Sequence, residues 1–171
     1  TVVAGALAAA MPAAALGPAA PLLVWLPAVV LGVLLGAVDL GCRRLPDVLV
    51  GTLAGITLLP LTLGALVAGE PGRAGRALAA AVVSGAAYLI VASLPGDGLG
   101  LGDVKLATVL GGLLGFAGWP AVLTGLLVPH LLAGPVALVL LITGRASRRT
   151  ALPLGPALLA GAVAGLALTA A

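Results

Sequence analysis

The sequence predicts an all-α fold, a polytopic integral membrane bundle of six to seven transmembrane helices. Of its 171 residues, 62% are hydrophobic and only 8% are charged, whereas a soluble domain carries about 25% charged residues. The few charges are confined to short segments. Between them lie apolar runs of the roughly 20 residues that a helix needs to cross the hydrocarbon core of a bilayer.

Breaks rich in Gly, Pro and charge delimit the crossings. Six apolar runs are bounded in this way, namely 22–39, 48–68, 75–94, 103–117, 120–143 and 154–171. Proline and glycine inside them are compatible with spanning helices, because neighbouring helices satisfy the freed backbone groups. Residues 1–21 are a separate apolar segment, and the Ala-rich stretch over residues 1–17 is compatible with a seventh crossing or with a position at the interface. The transmembrane domain is therefore expected at 22–171.

Composition also excludes several classes of function. The net charge is +3, but no basic stripe is present and the chain has only four aromatic residues to stack on bases. We therefore expect no nucleic-acid partner. Cys42 is the only cysteine, which excludes an internal disulfide and a thiolate metal site. The lipid bilayer is the expected partner.

The order of the crossings places two aspartates on one side of the membrane. Two crossings separate Asp39 from Asp103, so both lie on the same side. That side also carries six basic residues, whereas the other carries two, Arg73 and Arg76. The six are Arg43, Arg44, Lys105, Arg145, Arg148 and Arg149. Because cytoplasmic loops carry the excess of Lys and Arg, Asp39 and Asp103 are expected at the cytoplasmic rim.

A glycine-rich segment leads to Asp103. The following apolar run is short for a crossing that begins at Asp103, so we expect the helix or its approach to enter the bilayer before this residue. Gly98, Gly100 and Gly102 stand at alternate positions. They remove side chains where the backbone packs closely or takes unusual dihedral angles.

An ionisable residue at the edge of a crossing is a candidate functional residue. Two carboxylates a few ångströms apart do not both ionise easily and can hold one shared proton. Such a pair can take a proton from water with one carboxylate while the other protonates a carbonyl or a leaving amine. Asp39 and Asp103 are therefore a candidate catalytic pair for peptide hydrolysis. The alternative is that Asp39 pairs with Arg43 or Arg44, and that Asp103 pairs with Lys105 or caps a helix.

Three other charged residues have two interpretations each. Asp47 follows Pro46 at the start of a crossing, where it acts as an N-terminal cap or dipole partner or contacts a substrate. Asp97 lies in the glycine loop and either binds a basic substrate or is a solvated turn residue. Lys105 neutralises a carboxylate or reaches lipid phosphate.

Two further features concern packing. His130 lies within a crossing and away from the rim, which favours an interhelical hydrogen bond over a proton relay. Gly111, Gly112 and Gly115 provide the small-residue spacing that permits close helix contact.

Three segments resemble type IV prepilin peptidases, which are G-x-G-D intramembrane aspartyl proteases. GLGLGDVKLATVLGGLLG (98–115) is similar to their G-x-G-D segment with its following Lys. VDLGCRRLPDVLV (38–50) resembles their first catalytic segment, an Asp that ends a helix and is followed by Pro-Asn or Pro-Asp. RRTALPLGPALLAG (148–161) resembles their late basic loop and P-x-G-P segment. The order of the segments and the crossings between them also match, over roughly residues 22–171.

The resemblance implies an endopeptidase that cuts the basic leader from prepilin-like precursors, the pilins and pseudopilins of type IV pili and protein secretion. Asp39 and Asp103 map onto the catalytic pair, and Gly100 and Gly102 onto the motif glycines. Pro46 maps onto the first segment. No metal or other cofactor is implied, and the expected location is the plasma (inner) membrane with the site facing the cytoplasm.

The resemblance departs at the N-terminus. Longer family members carry a cytoplasmic domain with two C-x-x-C pairs, associated with methylating the new N-terminus of the product. No such pair precedes Asp39, so the resemblance is to the short form without the methyltransferase domain.

Two alternatives to a peptidase stay open from sequence. One is a small proton- or ion-coupled carrier that uses the same aspartates, although no second copy of the glycine-aspartate segment suggests the internal repeat of many transporters. The other is a structural membrane subunit of a pilus machine.

Overall fold

The computed structural model describes residues 22–42, 45–94, 99–143 and 154–170. Along these residues the chain forms six α-helices and no strand, which confirms the all-α prediction for the described residues. The helices are α1 (Leu22–Cys42), α2 (Asp47–Val67), α3 (Pro71–Ala92), α4 (Leu101–Ala117), α5 (Trp119–Ile142) and α6 (Gly155–Ala170). The segment 1–21 lies outside the described residues.

Glycines with positive φ form two of the connections between helices. After α2, Gly69 takes the left-handed φ of 74°. The N–H groups of Glu70 and Gly69 then bond the carbonyls of Ala65 and Leu66 at 2.8 and 3.1 Å. This is a Schellman motif, which satisfies the last carbonyls of a helix and reverses the chain. Between α4 and α5, Gly118 alone forms the connection, with a φ of 138°.

Helix α4 is the centre of the bundle and contacts α2, α3, α5 and α6. It is buried almost without interruption from Leu106 to Phe116, as expected for a helix that neighbours surround on all sides. Helix α1 completes the arrangement by packing against α2 and α6.

Small residues bring α3 and α4 together. A Cβ at Gly115 would lie 2.7 Å from the Cα of Ala77, and a Cβ at Gly111 would collide with the Ser84 side chain. Gly112 faces both Leu58 of α2 and Ala81 of α3. The expectation that these three glycines serve close helix contact is confirmed.

Two of the six helices, α2 and α3, are long and apolar enough to cross a membrane. Shorter apolar helical stretches cover Pro27–Cys42, Trp119–Leu131 and Gly155–Thr169. These findings concern the described residues and rest on length and composition.

The charged residues of the described ranges lie at two opposite ends of the helices. At one end, Arg73 pairs with Glu70 at 2.7 Å. Arg76 donates to the carbonyls of Gly115 and Phe116 at the carboxyl end of α4, at 2.7 and 3.2 Å. The other end holds Asp39, Asp47, Asp103 and Lys105, and is called the aspartate end below.

Candidate active site

Asp39 lies in the last turn of α1 and is only 5% exposed. Its Oδ2 accepts a hydrogen bond from the backbone N–H of Gly155 at 3.0 Å. Gly155 is the first residue of α6, so the carboxylate lies at the positive end of a helix dipole. The alternative partners Arg43 and Arg44 lie outside the described residues.

Asp103 lies in the first turn of α4. Its Oδ2 accepts a bond from the backbone N–H of Gly100 at 3.3 Å, so it acts in part as a helix cap. Its Oδ1 is buried and has no hydrogen-bond partner among the described atoms. A buried carboxylate oxygen without a hydrogen bond lowers the stability of the folded protein, so this atom is available to bind a water molecule or a substrate.

The two carboxylates lie at the same end of the bundle. Asp39 and Asp103 come from helices separated in sequence by α2 and α3, yet they are close enough for an electrostatic interaction between them. The structure therefore brings together the two aspartates that crossing order placed on one side. Helix α4 begins at Leu101, before Asp103.

The motif glycines lie where backbone and carboxylate approach closely. A Cβ at Gly102 would lie 2.9 Å from the Cβ of Leu45, in the segment that follows α1. At Gly100 it would lie 3.4 Å from Oδ2 of Asp103, an ordinary contact. Gly102 thus allows the start of α4 to touch the chain just after the Asp39 helix.

Lys105 pairs with Asp47 and not with Asp103. The Lys105 Nζ lies 2.7 Å from Oδ1 of Asp47, and the two side chains are 50% and 71% exposed. The alternative that Asp103 is paired by Lys105 is wrong, because the lysine reaches across to the start of α2. The ion pair joins the start of α2, which follows Asp39 in the chain, to α4, which contains Asp103.

Pro46, and not Asp47, is the N-cap residue of α2. Its carbonyl accepts the N–H groups of Leu49 and Val50 at 3.0 and 3.2 Å, and no side chain caps this helix. Asp47 is the first helical residue, where a negative charge still favours the helix dipole. The cap interpretation of Asp47 is therefore wrong, and the dipole interpretation fits its position. Asp97 lies outside the described residues.

A second polar group connects α3 to α5. The Tyr88 hydroxyl donates to the carbonyl of Leu126 at 3.3 Å and lies 3.4 Å from Nδ1 of His130. The same Nδ1 lies 2.8 Å from the Leu126 carbonyl. Because that oxygen can only accept, Nδ1 carries a proton and donates to it. The shorter hydrogen bond of His130 therefore lies within α5. Its interhelical interaction is the 3.4 Å approach of the Tyr88 hydroxyl, with the two ring centroids 5.3 Å apart.

Gly155 is the residue that sequence reasoning did not assign to the site. The P-x-G-P segment marked its position as part of a resemblance, but nothing in the local pattern connects it to Asp39, which lies 116 residues away. A Cβ at this position would lie 2.7 Å from Oδ2 of Asp39.

Among the described residues, the polar contacts of the aspartate end are those of carboxylates with backbone amides and one ion pair. Within the described ranges, no group of three or more His, Cys, Asp or Glu side chains is placed to hold a metal ion. Comparison with known proteins found no match to the chain among protein-family models, curated proteins or solved structures.

Proposed function

We propose that the protein is a polytopic membrane aspartic endopeptidase with six to seven transmembrane helices. In this proposal it removes the basic leader of prepilin-like precursors at the cytoplasmic face of the plasma membrane. The observation that carries the proposal is the pair of carboxylates, Asp39 and Asp103, which lie near each other at one end of an apolar bundle. Asp39 is buried, and Asp103 has a buried oxygen with no partner among the described residues.

The outer surface of the helices supports the membrane aspect of the proposal. Large apolar side chains are exposed along α1, α2, α3 and α5, for example Val33, Leu59, Val82 and Leu127. Only 22% of the most apolar window of α2, and likewise of α3, is buried in the bundle. The core helix of a soluble protein would be mostly buried, whereas a contiguous apolar exterior suits lipid.

The carboxylate pair supports hydrolysis. In the proposed reaction, one carboxylate accepts a proton from a water molecule while the water oxygen attacks the scissile carbonyl carbon. The other carboxylic acid protonates the carbonyl oxygen, which gives a tetrahedral diol. The diol collapses as the C–N bond breaks. The leaving amine takes the proton held by one carboxylic acid, and a hydroxyl of the diol returns its proton to the other carboxylate. No charge needs to leave the site, because the two carboxyl groups share one proton throughout the cycle.

The rim position supports a substrate that is apolar in the membrane and basic outside it. When the apolar helix of a substrate lies in the bilayer, the substrate residues just beyond it lie level with the ends of the enzyme's helices. Asp47 is 71% exposed at this level. Exposed ion pairs contribute only about 0–1 kcal/mol, so basic leader residues can compete with Lys105 for this carboxylate.

The test is leader removal from a co-expressed prepilin with a basic leader. We expect wild type to shorten the precursor, with mass spectrometry locating the cut at the end of the leader. Asp39→Asn and Asp103→Asn keep the shape of the side chain but remove the acid, and we expect each to lower the rate by about 10²–10⁴-fold.

Two outcomes of this test would contradict the proposal. Equal cleavage by both variants at equal abundance would exclude the carboxylate pair as the catalyst. Proton-coupled flux in liposomes, with no cleavage of several pilin and pseudopilin precursors, would favour the carrier instead.

A further inference from the structure

We propose that Gly155 is a positioning residue for Asp39, and that the first turn of α6 holds the Asp39 carboxylate where the reaction needs it. This inference rests on the proposed peptidase function. It adds a third chain segment, distant in sequence from both aspartates, to the two that carry the acids.

The first observation is the hydrogen bond itself. Oδ2 of Asp39 accepts the Gly155 N–H at 3.0 Å in a buried setting. This N–H is one of those that have no partner inside their own helix, because the first turn offers no carbonyl to accept them. A backbone donor cannot swing away or change its charge, so it fixes the carboxylate more firmly than a Lys or Arg side chain would.

The second observation is the absence of room for any side chain at position 155. A Cβ there would lie 2.7 Å from Oδ2 of Asp39 and 3.2 Å from its Cγ. Contacts below 3.0 Å force a shift. Even alanine at this position therefore displaces the carboxylate from the helix end.

The third observation is that α1 and α6 pack against each other beside the hydrogen bond. Gly32 and Gly36 lie on the same face of α1. A Cβ placed on either would be 3.4 or 3.6 Å, respectively, from the side chain of Leu159 in α6. Between them, Leu35 is fully buried. Because Oδ2 is the far end of a side chain, it rotates away from a new methyl group more easily than two packed helices separate, and its bond to the N–H is then lost.

The experiment compares Gly155→Ala with wild type in steady-state cleavage of a prepilin with a basic leader by purified protein in proteoliposomes. We expect kcat to fall at least about tenfold, the effect of losing about 1.4 kcal/mol of transition-state stabilisation. We expect KM to stay within about twofold, since the change does not touch the surface that receives the substrate. The matched control is Gly51→Ala in α2, where a Cβ meets nothing within 4 Å.

A double-mutant cycle on thermal unfolding provides a readout that needs no substrate. Gly155→Ala is introduced into wild type and into Asp39→Ala, which lacks the colliding carboxylate. We expect Gly155→Ala to lower the unfolding temperature of wild type and to leave that of Asp39→Ala unchanged, because coupling between two residues appears as non-additivity.

The outcomes separate this inference from the proposed function. If Asp39→Asn abolishes cleavage while Gly155→Ala keeps the wild-type kcat, the peptidase stands and the positioning role is wrong. An equal loss of unfolding temperature in both backgrounds would also overturn it, because the alanine would then act on packing elsewhere. If wild type cleaves no precursor, the peptidase function fails, and with it the role of Gly155 in catalysis.

Discussion

At the scale of single residues, each of the two aspartates accepts a hydrogen bond from a backbone N–H group, and neither forms an ion pair within the described ranges. Asp39 is bonded to Gly155 and Asp103 to Gly100. The lysine nearest to Asp103 in sequence pairs with Asp47. A neutral donor leaves a carboxylate free to gain or lose a proton without breaking an ion pair, which suits a pair of acids that exchange protons with a substrate.

The two motif glycines give a residue-scale prediction about stability. Gly102→Ala puts a methyl group 2.9 Å from the Cβ of Leu45, whereas Gly100→Ala makes an ordinary contact with a side-chain oxygen at 3.4 Å. We expect Gly102→Ala to lower the free energy of unfolding by about 1–3 kcal/mol, the usual cost of overpacking. Thermal unfolding in detergent measures the difference, with Gly100→Ala as the reference variant. Equal unfolding temperatures of the two variants would contradict the close contact between Leu45 and the start of α4.

At the scale of helices, α4 depends on its neighbours for its position. It carries Asp103, contacts α3 through small residues, and is joined to α2 by the Asp47–Lys105 pair. Helix α6 in turn reaches Asp39 through Gly155. Moving any one of these helices changes the separation of the two carboxylates.

The ion pair between α2 and α4 gives a prediction at this scale. We expect Lys105→Met to cost no more than about 1 kcal/mol of stability, because both partners are exposed, yet to slow leader cleavage. The exchanged pair Asp47→Lys with Lys105→Asp restores the attraction but removes the carboxylate proposed to contact the leader. We therefore expect it to recover the stability lost in Lys105→Met and to raise KM for the precursor.

The matched control for this pair is at the opposite end of the bundle. Glu70 and Arg73 also form an exposed pair at 2.7 Å, so Glu70→Gln tests what such a pair contributes to stability alone. Cleavage by Glu70→Gln at the wild-type rate is expected. A similar loss of rate in Glu70→Gln and Lys105→Met would contradict a specific role for the pair at the aspartate end.

The contact between α3 and α4 gives a second prediction at this scale. A Cβ at Gly115 would lie 2.7 Å from the Cα of Ala77, which is backbone and cannot rotate away. We expect Gly115→Ala to destabilise the bundle by about 1–3 kcal/mol. Gly75→Ala, where a Cβ meets nothing within 4 Å, is the control. Unfolding temperatures that do not differ between the two variants would contradict close packing of α3 on α4.

At the scale of the whole molecule, the sequence predicted the helices well because each apolar run ends at glycine, proline or charge. The predicted run 48–68 corresponds to the observed helix Asp47–Val67, and the run 120–143 corresponds to Trp119–Ile142. Crossing order also predicted that Asp39 and Asp103 share one end. What it could not predict are contacts between distant segments: periodicity carries no information on which helix start meets Asp39, or on which carboxylate Lys105 selects.

The proposed orientation gives a prediction at the scale of the molecule. Cys42 is exposed and lies three residues after Asp39. We expect a membrane-impermeant maleimide to label it from the cytoplasmic side of sealed vesicles, because the excess of basic residues is predicted on that side. In a Cys42→Ser background, a cysteine introduced at Glu70 should label from the opposite side. Labelling of both positions from one side would contradict the crossing order.

The central claim is that Asp39 and Asp103 act as one catalytic unit, and the most direct measurement is the cleavage rate of the two single Asn variants and of the double variant in proteoliposomes. Residues that act as a unit lose most of the activity when either is removed, so their effects are far from additive. We expect each single variant to fall by about 10²–10⁴-fold, with little further loss in the double variant. A single variant that keeps the wild-type rate, or losses that multiply in the double variant, would contradict the claim.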